Sequence, residues 1–317
     1  MPTPLVLPWE RTDPLAAALY RVRMRGAFYS WTEASGIGAV AMPVFPETLS
    51  FHIVAAGTAW LEVDDRPPVR LDAGSLALVP RGIGHRIGTA PGAPALGRAD
   101  LLPQTMIGES FSVMHVGPAD VPTSLTLLCG IVAFESSAVQ DMLGVLPPVV
   151  VVDAEARPVT AALLPLLAAE LRDPRPGGDA VATRLADVLV VEAVRSWLAT
   201  SPDEASGWLA ALRDPELGPA VAAIHHEPGR AWSLAELARA ARLSRTVFAA
   251  RFTELVGVPP MAYVASTRMR VARGMLAQGR RVADVAAATG YGSEAAFSRA
   301  YARLTGETPG RTRRQAA

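Results

Sequence analysis

Residues 248–260 and 297–309 repeat one another at a fixed offset of 49 positions. Phe248 falls on Phe297, Phe252 on Tyr301, Leu255 on Leu304, Gly257 on Gly306 and Pro260 on Pro309. A match at one constant offset means one supersecondary unit used twice. That unit is two short helices joined by a tight turn, the helix-turn-helix pattern.

The signals within each copy agree. In the first, Ser233 and Glu236 form an S-x-x-E capping box. Leu234, Leu237, Ala238 and Ala241 share one face, with alanines where a second helix must come close. Arg242 and Leu243 make the turn and Ser244 caps the next helix. That helix is expected to bury Val247, Phe248, Phe252 and Leu255 and to stop at Gly257, ahead of two prolines. The second copy runs through Val282, Val285 and Ala286, a Gly290-Tyr291-Gly292 turn, and Ser293 as cap. Phe297, Tyr301 and Leu304 are its expected core residues, with Gly306 and Pro309 closing it. Between the copies, Met261, Val264, Ala265, Met269, Ala272 and Leu276 have helical spacing, with Arg268, Arg270 and Arg273 interspersed. Sixteen such residues make a rod of roughly 24 Å.

In a helix-turn-helix the second helix enters the DNA major groove with its N-terminal residues first. The residues predicted to face outward are Arg245, Thr246, Ala249 and Ala250 in copy one. In copy two they are Glu294, Ala295, Ser298 and Arg299. The caps Ser244 and Ser293 stand at the same helix ends, and Arg251 and Arg303 are candidates for phosphate. A rigid rod would hold the two reading heads on one DNA face about 34 Å apart, one helical turn. Charge supports this reading. The whole chain is formally neutral, yet residues 218–317 hold 15 arginines against 6 acidic residues, and the remainder holds 15 against 24. A basic surplus gathered on one domain is the footprint of a nucleic-acid binder.

Residues from near Asp214 to Arg314 resemble the DNA-binding domain of the AraC/XylS family of bacterial transcription regulators, most specifically in GYGSEAAFSRAYARLTGETP. The resemblance implies a regulator that binds double-stranded operator or promoter DNA, with RNA polymerase as a candidate partner of an activator. Relatives commonly carry a basic or long polar residue where this chain has Ala250. Alanine can touch a thymine methyl but cannot hydrogen-bond a guanine, so base reading by copy one is expected to lean on Arg245 and Thr246.

The first 155 residues read differently, as short apolar runs broken by Gly and Pro. Strands are predicted at Phe51–Ala56, Thr58–Val63, Val69–Leu71 and Ser75–Val79, with DDRPP as a turn. The spacing Gly74-x5-Pro80-x-Gly82-x2-His85 matches the second motif of the cupin family of β-barrels. Together with LTLLCGIVAF and LPPVVVV, it makes this region resemble the cupin-like sensor domains that precede AraC-type DNA-binding domains. Metal-binding cupins supply two histidines and a glutamate from a first motif, but only Ser50 and His52 stand upstream of Gly57. No metal and no cofactor are therefore expected, and no catalytic set of Ser/His/Asp or paired carboxylates stands out. His52, Trp60 and His85 are the candidate contacts to a small organic effector, with Phe51 and Ile53 as alternative wall residues depending on register. The alternative is a cupin-type metal-dependent enzyme or metal sensor fused to a DNA-binding domain, with His52, His85, His115 and Cys129 as its ligands.

Val159–Leu171 and Ala180–Leu198 are two amphipathic helices around a DPRPGG break, too apolar to stand alone. The expected architecture is α+β and multidomain: a cupin-like effector-sensing barrel (1–155), a helical linker that could support a homodimer (156–206), and an all-α domain with two helix-turn-helix motifs (207–317). SPDEASG reads as the linker, and Asp214-Pro215-Glu216 as the start of a helix. One cysteine excludes an internal disulfide framework. MPTPLVLPWERTD lacks a signal-peptide pattern, and no apolar run reaches spanning length, so a cytoplasmic protein away from membranes is expected.

Overall fold

The structure, a computed structural model, describes residues 24–134, 139, 143–144, 146–153, 158–173, 175–200 and 207–315. The N-terminal segment and most of SPDEASG lie outside the described residues. The chain divides into two compact units, one joining Arg23–Glu135 to Leu146–Pro202, the other built on Asp203–Ala317.

The first unit holds twelve described strands: β1 (Met24–Ser35), β2 (Ala39–Met42), β3 (Thr48–Ala56), β4 (Thr58–Glu62), β5 (Val69–Asp72), β6 (Ser75–Val79), β7 (His85–Gly88), β8 (Ala95–Arg98), β9 (Thr105–Met106), β10 (Phe111–Val116), β11 (Thr123–Phe134) and β12 (Val150–Asp153). They form a seven-stranded sheet in the order β12-β6-β3-β11-β1-β10-β9 and a five-stranded sheet in the order β5-β4-β7-β2-β8. The expected barrel is thus corrected to two facing sheets, because no ladder joins β9 to β8 or β12 to β5. The chain crosses between the sheets repeatedly, as from β1 to β2 and from β3 to β4. Side chains from both inner faces meet in one core of Val54, Leu61, Leu71, Val79, Ile87 and Leu127.

The strands alternate, and their parity decides the site. On β1, Tyr29 and Trp31 are buried on the outer side of the large sheet, so Phe28, Ser30, Thr32 and Ala34 point inward. Phe51 lies beside Tyr29, ring centroids 6.1 Å apart, and so shares its outer side. On β4, Ala59 and Leu61 are buried inward, which turns Trp60 outward. Phe51, Ile53 and Trp60, expected as wall residues, therefore do not line the interior.

Two helices, α1 (Pro158–Arg172) and α2 (Gly178–Thr200), find the partner their apolar faces need in the large sheet. Leu164, Leu167 and Leu171 are buried from α1, and Leu189, Val190, Val194 and Trp197 from α2. Arg172 places its guanidinium 3.8 Å from the Trp31 ring centre, and Asp187 accepts a 2.9 Å hydrogen bond from the backbone N–H of Met24. The outer side of the sheet is apolar and needs that cover, which is why the helix pair belongs to this unit.

The second unit comprises α3 (Gly207–Arg213), α4 (Gly218–His226), α5 (Leu234–Ala240), α6 (Arg245–Val256), α7 (Pro260–Ala277), α8 (Val282–Ala288), α9 (Glu294–Thr305) and α10 (Pro309–Gln315). Asp214 does not open a helix as expected. Its carboxylate accepts the N–H groups of Glu216 and Leu217, both at 2.9 Å, in a turn between α3 and α4. His225 is interior, its Nε2 2.7 Å from the Tyr263 hydroxyl. No described helix is long and apolar enough to cross a membrane.

Candidate DNA interface and sandwich cavity

The two helix-turn-helix copies form as their local signals require. Ser233 and Glu236 make both halves of a capping box at α5. Ser244 accepts the Val247 N–H at 3.3 Å to open α6, and Ser293 accepts the Ala296 N–H at 3.2 Å to open α9. Both second helices end in left-handed glycines, Gly257 and Gly306. Phe248 and Phe252 are fully buried in copy one, Phe297 and Tyr301 in copy two. Val247, Leu255 and Leu304, expected in the core, are exposed instead. Val247 lies about 100° off the arc of Phe248 and Phe252, whereas Leu255 and Leu304 share the aromatic arc but stand in the last turn of their helices, next to the left-handed glycines. Met261, expected on the buried stripe of α7, is also exposed.

The rod α7 serves both copies. Tyr263 packs on Phe252, ring centroids 5.5 Å apart, while Met269, Ala272 and Leu276 join the core of copy two. Its arginines are engaged within the unit. Arg268 donates to the carbonyls of Pro228 (2.9 Å) and Arg230 (2.7 Å) and lies 5.7 Å from the Tyr291 ring centre. It thereby ties the segment leading into copy one to the turn of copy two. Gly290 sits in that turn at φ 78°, and a side chain there would strike the carbonyl of Gly229. Only glycine fits both the left-handed backbone and the close approach. Arg273 pairs with Glu307 at 3.5 Å.

At the outward ends, Arg245 and Thr246 are exposed on α6, and Glu294, Ala295 and Arg299 on α9. Ala250 and Arg303 are exposed as well, Ala249 and Ser298 half-buried. Arg251 differs from expectation: its guanidinium is held by Asp214, at 2.9 Å, and by Glu216. It braces α6 against the turn before α4.

In the first unit, Pro80–Gly82 forms a short 3-10 turn in which Arg81 and Gly82 take φ values of 67° and 59°. A side chain at Gly82 would collide with the Phe45 carbonyl. This turn delivers His85 at the head of β7, buried and inward. Ser30 on β1, Cys129 on β11 and His52 on β3 stand in one cross-strand row of the opposite sheet. The Cys129 Sγ lies 3.1 Å from His52 Nδ1, His52 Nε2 lies 2.7 Å from His85 Nε2, and His85 Nδ1 lies 2.9 Å from the Ile83 carbonyl oxygen. One tautomer set satisfies every contact: the thiol donates to His52 Nδ1, His52 Nε2–H to His85, and His85 Nδ1–H to Ile83. Burial, with His85 alongside, holds the His52 pKa well below its ordinary value. Burial lowers that of His85 to about 4 and pushes the Cys129 thiol up to about 12. The chain is therefore uncharged at neutral pH, and it bridges the two sheets.

Three of the four ligands of the metal alternative thus come together, but in a line. Two nitrogens sharing a tetrahedral zinc would stand about 3.3 Å apart, farther than the 2.7 Å between the two Nε2 atoms. His115 stands apart, exposed and 3.2 Å from Glu33. Among the described residues, no cluster of three or more metal-ligating side chains forms a site.

Between the sheets lies a cavity of about 360 Å³. Its walls include Met42, Ile87, Met114, Val116, Leu125 and Leu127, with Ser30, Thr32 and Cys129 on one side and Asp100 and Gln104 among its other polar groups. His52 and His85 are one step behind Cys129. Strand β1, which supplies Ser30 and Thr32, was not among the predicted strands. At its centre the inward residues Ser30 and Thr32 are polar and the outward aromatics Tyr29 and Trp31 covered, so the usual alternation is inverted there.

Residues 13–199 match the cupin family, and residues 237–315 match a helix-turn-helix domain family. The cupin match runs through α1 and α2, as the first compact unit does. The chain is 33% identical over 303 residues to an AraC-like transcription regulator of Streptomyces antibioticus, covering 94% of this chain and 97% of that one. Another AraC-like regulator, from Streptomyces lividans, is 31% identical over 302 residues, with the same two shares. The HTH-type transcriptional regulator MtrA of Neisseria gonorrhoeae is 28% identical over 269 residues, 83% of this chain and 85% of that one. The relatives are named for regulation, and the helix-turn-helix domain assigns double-stranded DNA as the macromolecule bound. With two capped helix-turn-helix copies on a shared rod and a two-sheet cupin unit, this chain belongs to the AraC-like transcription regulators.

Proposed function

We propose that this regulator reads a bipartite DNA site with the N-terminal halves of α6 and α9, and that a small organic effector in the sandwich cavity sets how well it does so. The observation that carries the reading is the pair of outward helix ends. Arg245 and Arg299 are exposed there without an ion-pair partner among the described residues, whereas Arg251, Arg268 and Arg273 are engaged inside the unit. Arg299 reads a base from α9; Arg245 and Thr246 do so from α6, with Ala249 and Ala250 in apolar contact. Glu294, Ala295 and Ser298 complete the α9 surface. Ser244 and Ser293 accept a backbone N–H in their caps, which leaves each hydroxyl proton free to donate to a phosphate. Arg303 is a second phosphate contact. Arg251 is assigned a bracing role and reaches phosphate only if its two carboxylates release it.

On this reading the chain works as a homodimer that presents operator DNA to RNA polymerase, and the effector acts by differential affinity for two states of the regulator. Arg299→Ala is expected to weaken binding to a selected operator by about 1–3 kcal/mol at matched salt. Equal affinity of variant and parent in a fluorescence-anisotropy titration would remove α9 as a base reader. Replacing Arg313 and Arg314 with Gln should flatten the salt dependence and leave sequence preference unchanged.

A further inference from the structure

We propose that the sandwich cavity takes an uncharged, largely apolar molecule of about two-ring size bearing one hydroxyl or carbonyl group, placed against Ser30 and Thr32. This rests on the reading of the sandwich as an effector-binding unit, and it adds the chemical class. Size comes first. An apolar cavity of about 150 Å³ holds benzene, and this one is about 360 Å³.

Charge narrows the class further. Among the described residues, the only charged side chain on the cavity wall is Asp100, and it is already held by Arg98, Nε at 3.1 Å and Nη2 at 2.7 Å. No arginine or histidine among the described residues lines the wall. A carboxylate or phosphate would lose its water, gain no counter-charge and face Asp100. A sugar would fare little better, because most polar groups nearby are engaged. Gln104 accepts from the Ser112 hydroxyl at 2.8 Å, and the Cys129 thiol is held by His52. Besides the Ser35 hydroxyl and the Gln104 amide N–H groups, the wall offers the adjacent hydroxyls of Ser30 and Thr32, 3.4 Å apart. That spacing is at the long limit of a hydrogen bond, so a ligand oxygen can take its place at little loss. One polar atom of the ligand is matched there, and the remainder faces walls that are mostly apolar.

The chain around the cavity fits an apolar visitor. Leu96, Ala99 and Gln104 line the cavity, and the same 95–107 segment leaves Leu101, Met106 and Ile107 exposed.

The test is calorimetric titration of the full chain at neutral pH with four probes: 2-naphthol, naphthalene, 2-naphthoate and arabinose. 2-Naphthol is expected to bind tightest, naphthalene about five- to tenfold more weakly for want of one hydrogen bond. 2-Naphthoate and arabinose should be weaker by about a hundredfold or more. Replacing Ser30 with Ala and Thr32 with Val together should erase the advantage of 2-naphthol and leave naphthalene binding unchanged, which also shows the variant folded. Ala99→Phe, which fills the cavity from its wall, should reduce binding of both. Undiminished 2-naphthol binding to Ala99→Phe would overturn the cavity as the site. 2-Naphthoate or arabinose binding as well as 2-naphthol would overturn the proposed class while leaving the sandwich an effector-binding unit. Binding of none of the four would overturn both.

Discussion

Cys129, His52 and His85 pass hydrogen bonds from one sheet to the other without a charge among them. A charge there would be costly, because the row is buried and faces apolar walls. The consequence is a pH dependence with a definite sign. In the unfolded chain each histidine takes up a proton near its ordinary pKa of about 6.5. In the folded chain His85 resists protonation down to about 4, and His52 resists it further. Their contribution to stability is thus fully present above pH 6.5 and declines as pH falls toward the folded values. Between pH 7.5 and 5 each histidine should remove about 2 kcal/mol of stability. Urea unfolding at the two pH values measures this. His85→Gln, whose carbonyl can still accept from His52, should show about half of the loss; an unchanged loss would place the pH dependence elsewhere. His52 and His85 were visible in the sequence as inward polar residues. Their meeting with Cys129 reads in the sequence only as a metal-ligand set; the hydrogen-bonded row was not legible, because it joins strands of different sheets.

The helix-turn-helix elements were legible because their signals are local: a serine cap, a glycine stop, an apolar arc. The arc was the weaker signal, since Leu255 and Leu304 repeat as apolar residues yet remain exposed. What ties the two copies together was not legible. Arg268 reads in the sequence as one of several basic residues on a rod, and its partners Pro228 and Arg230 stand about 40 positions away. In the fold it fixes the approach of Gly229 to Gly290, and with the rod it sets the spacing of the two reading helices. Arg268→Ala removes two charge-assisted hydrogen bonds to carbonyls, at an expected cost of about 2–3 kcal/mol in domain stability. The reading helices themselves are untouched. Affinity for a complete bipartite operator should therefore fall while affinity for either half alone stays within about twofold, as expected when only the linkage between two sites is loosened. Anisotropy titrations with complete and half operators distinguish this from loss of a DNA contact, which would weaken the matching half-site as well.

At the scale of the molecule, the division of labour was legible in charge and the architecture of the first unit was legible in part. Strands β3 to β6 appear in the sequence because each is a short apolar run bounded by Gly or Pro. The number of sheets does not, since closure depends on whether edge strands meet. The segregation of arginine onto the second unit concerns binding, not folding. That unit has its own core in Phe248, Phe252, Phe297 and Tyr301, so residues 207–317 should fold alone and keep both reading helices. They lack the cavity and the α1–α2 pair. An effector can alter DNA affinity only through a part of the chain that binds it differently in two states. The fragment should accordingly bind the operator without any response to an effector that shifts the whole chain. If the whole chain is a homodimer, the fragment should also bind more weakly by about tenfold or more, the second pair of reading helices no longer being held at high effective concentration. Both quantities come from one set of titrations at matched salt, with and without effector. A fragment equal to the whole chain in affinity and in response would move effector sensing into the DNA-binding unit and leave the cavity without a regulatory role.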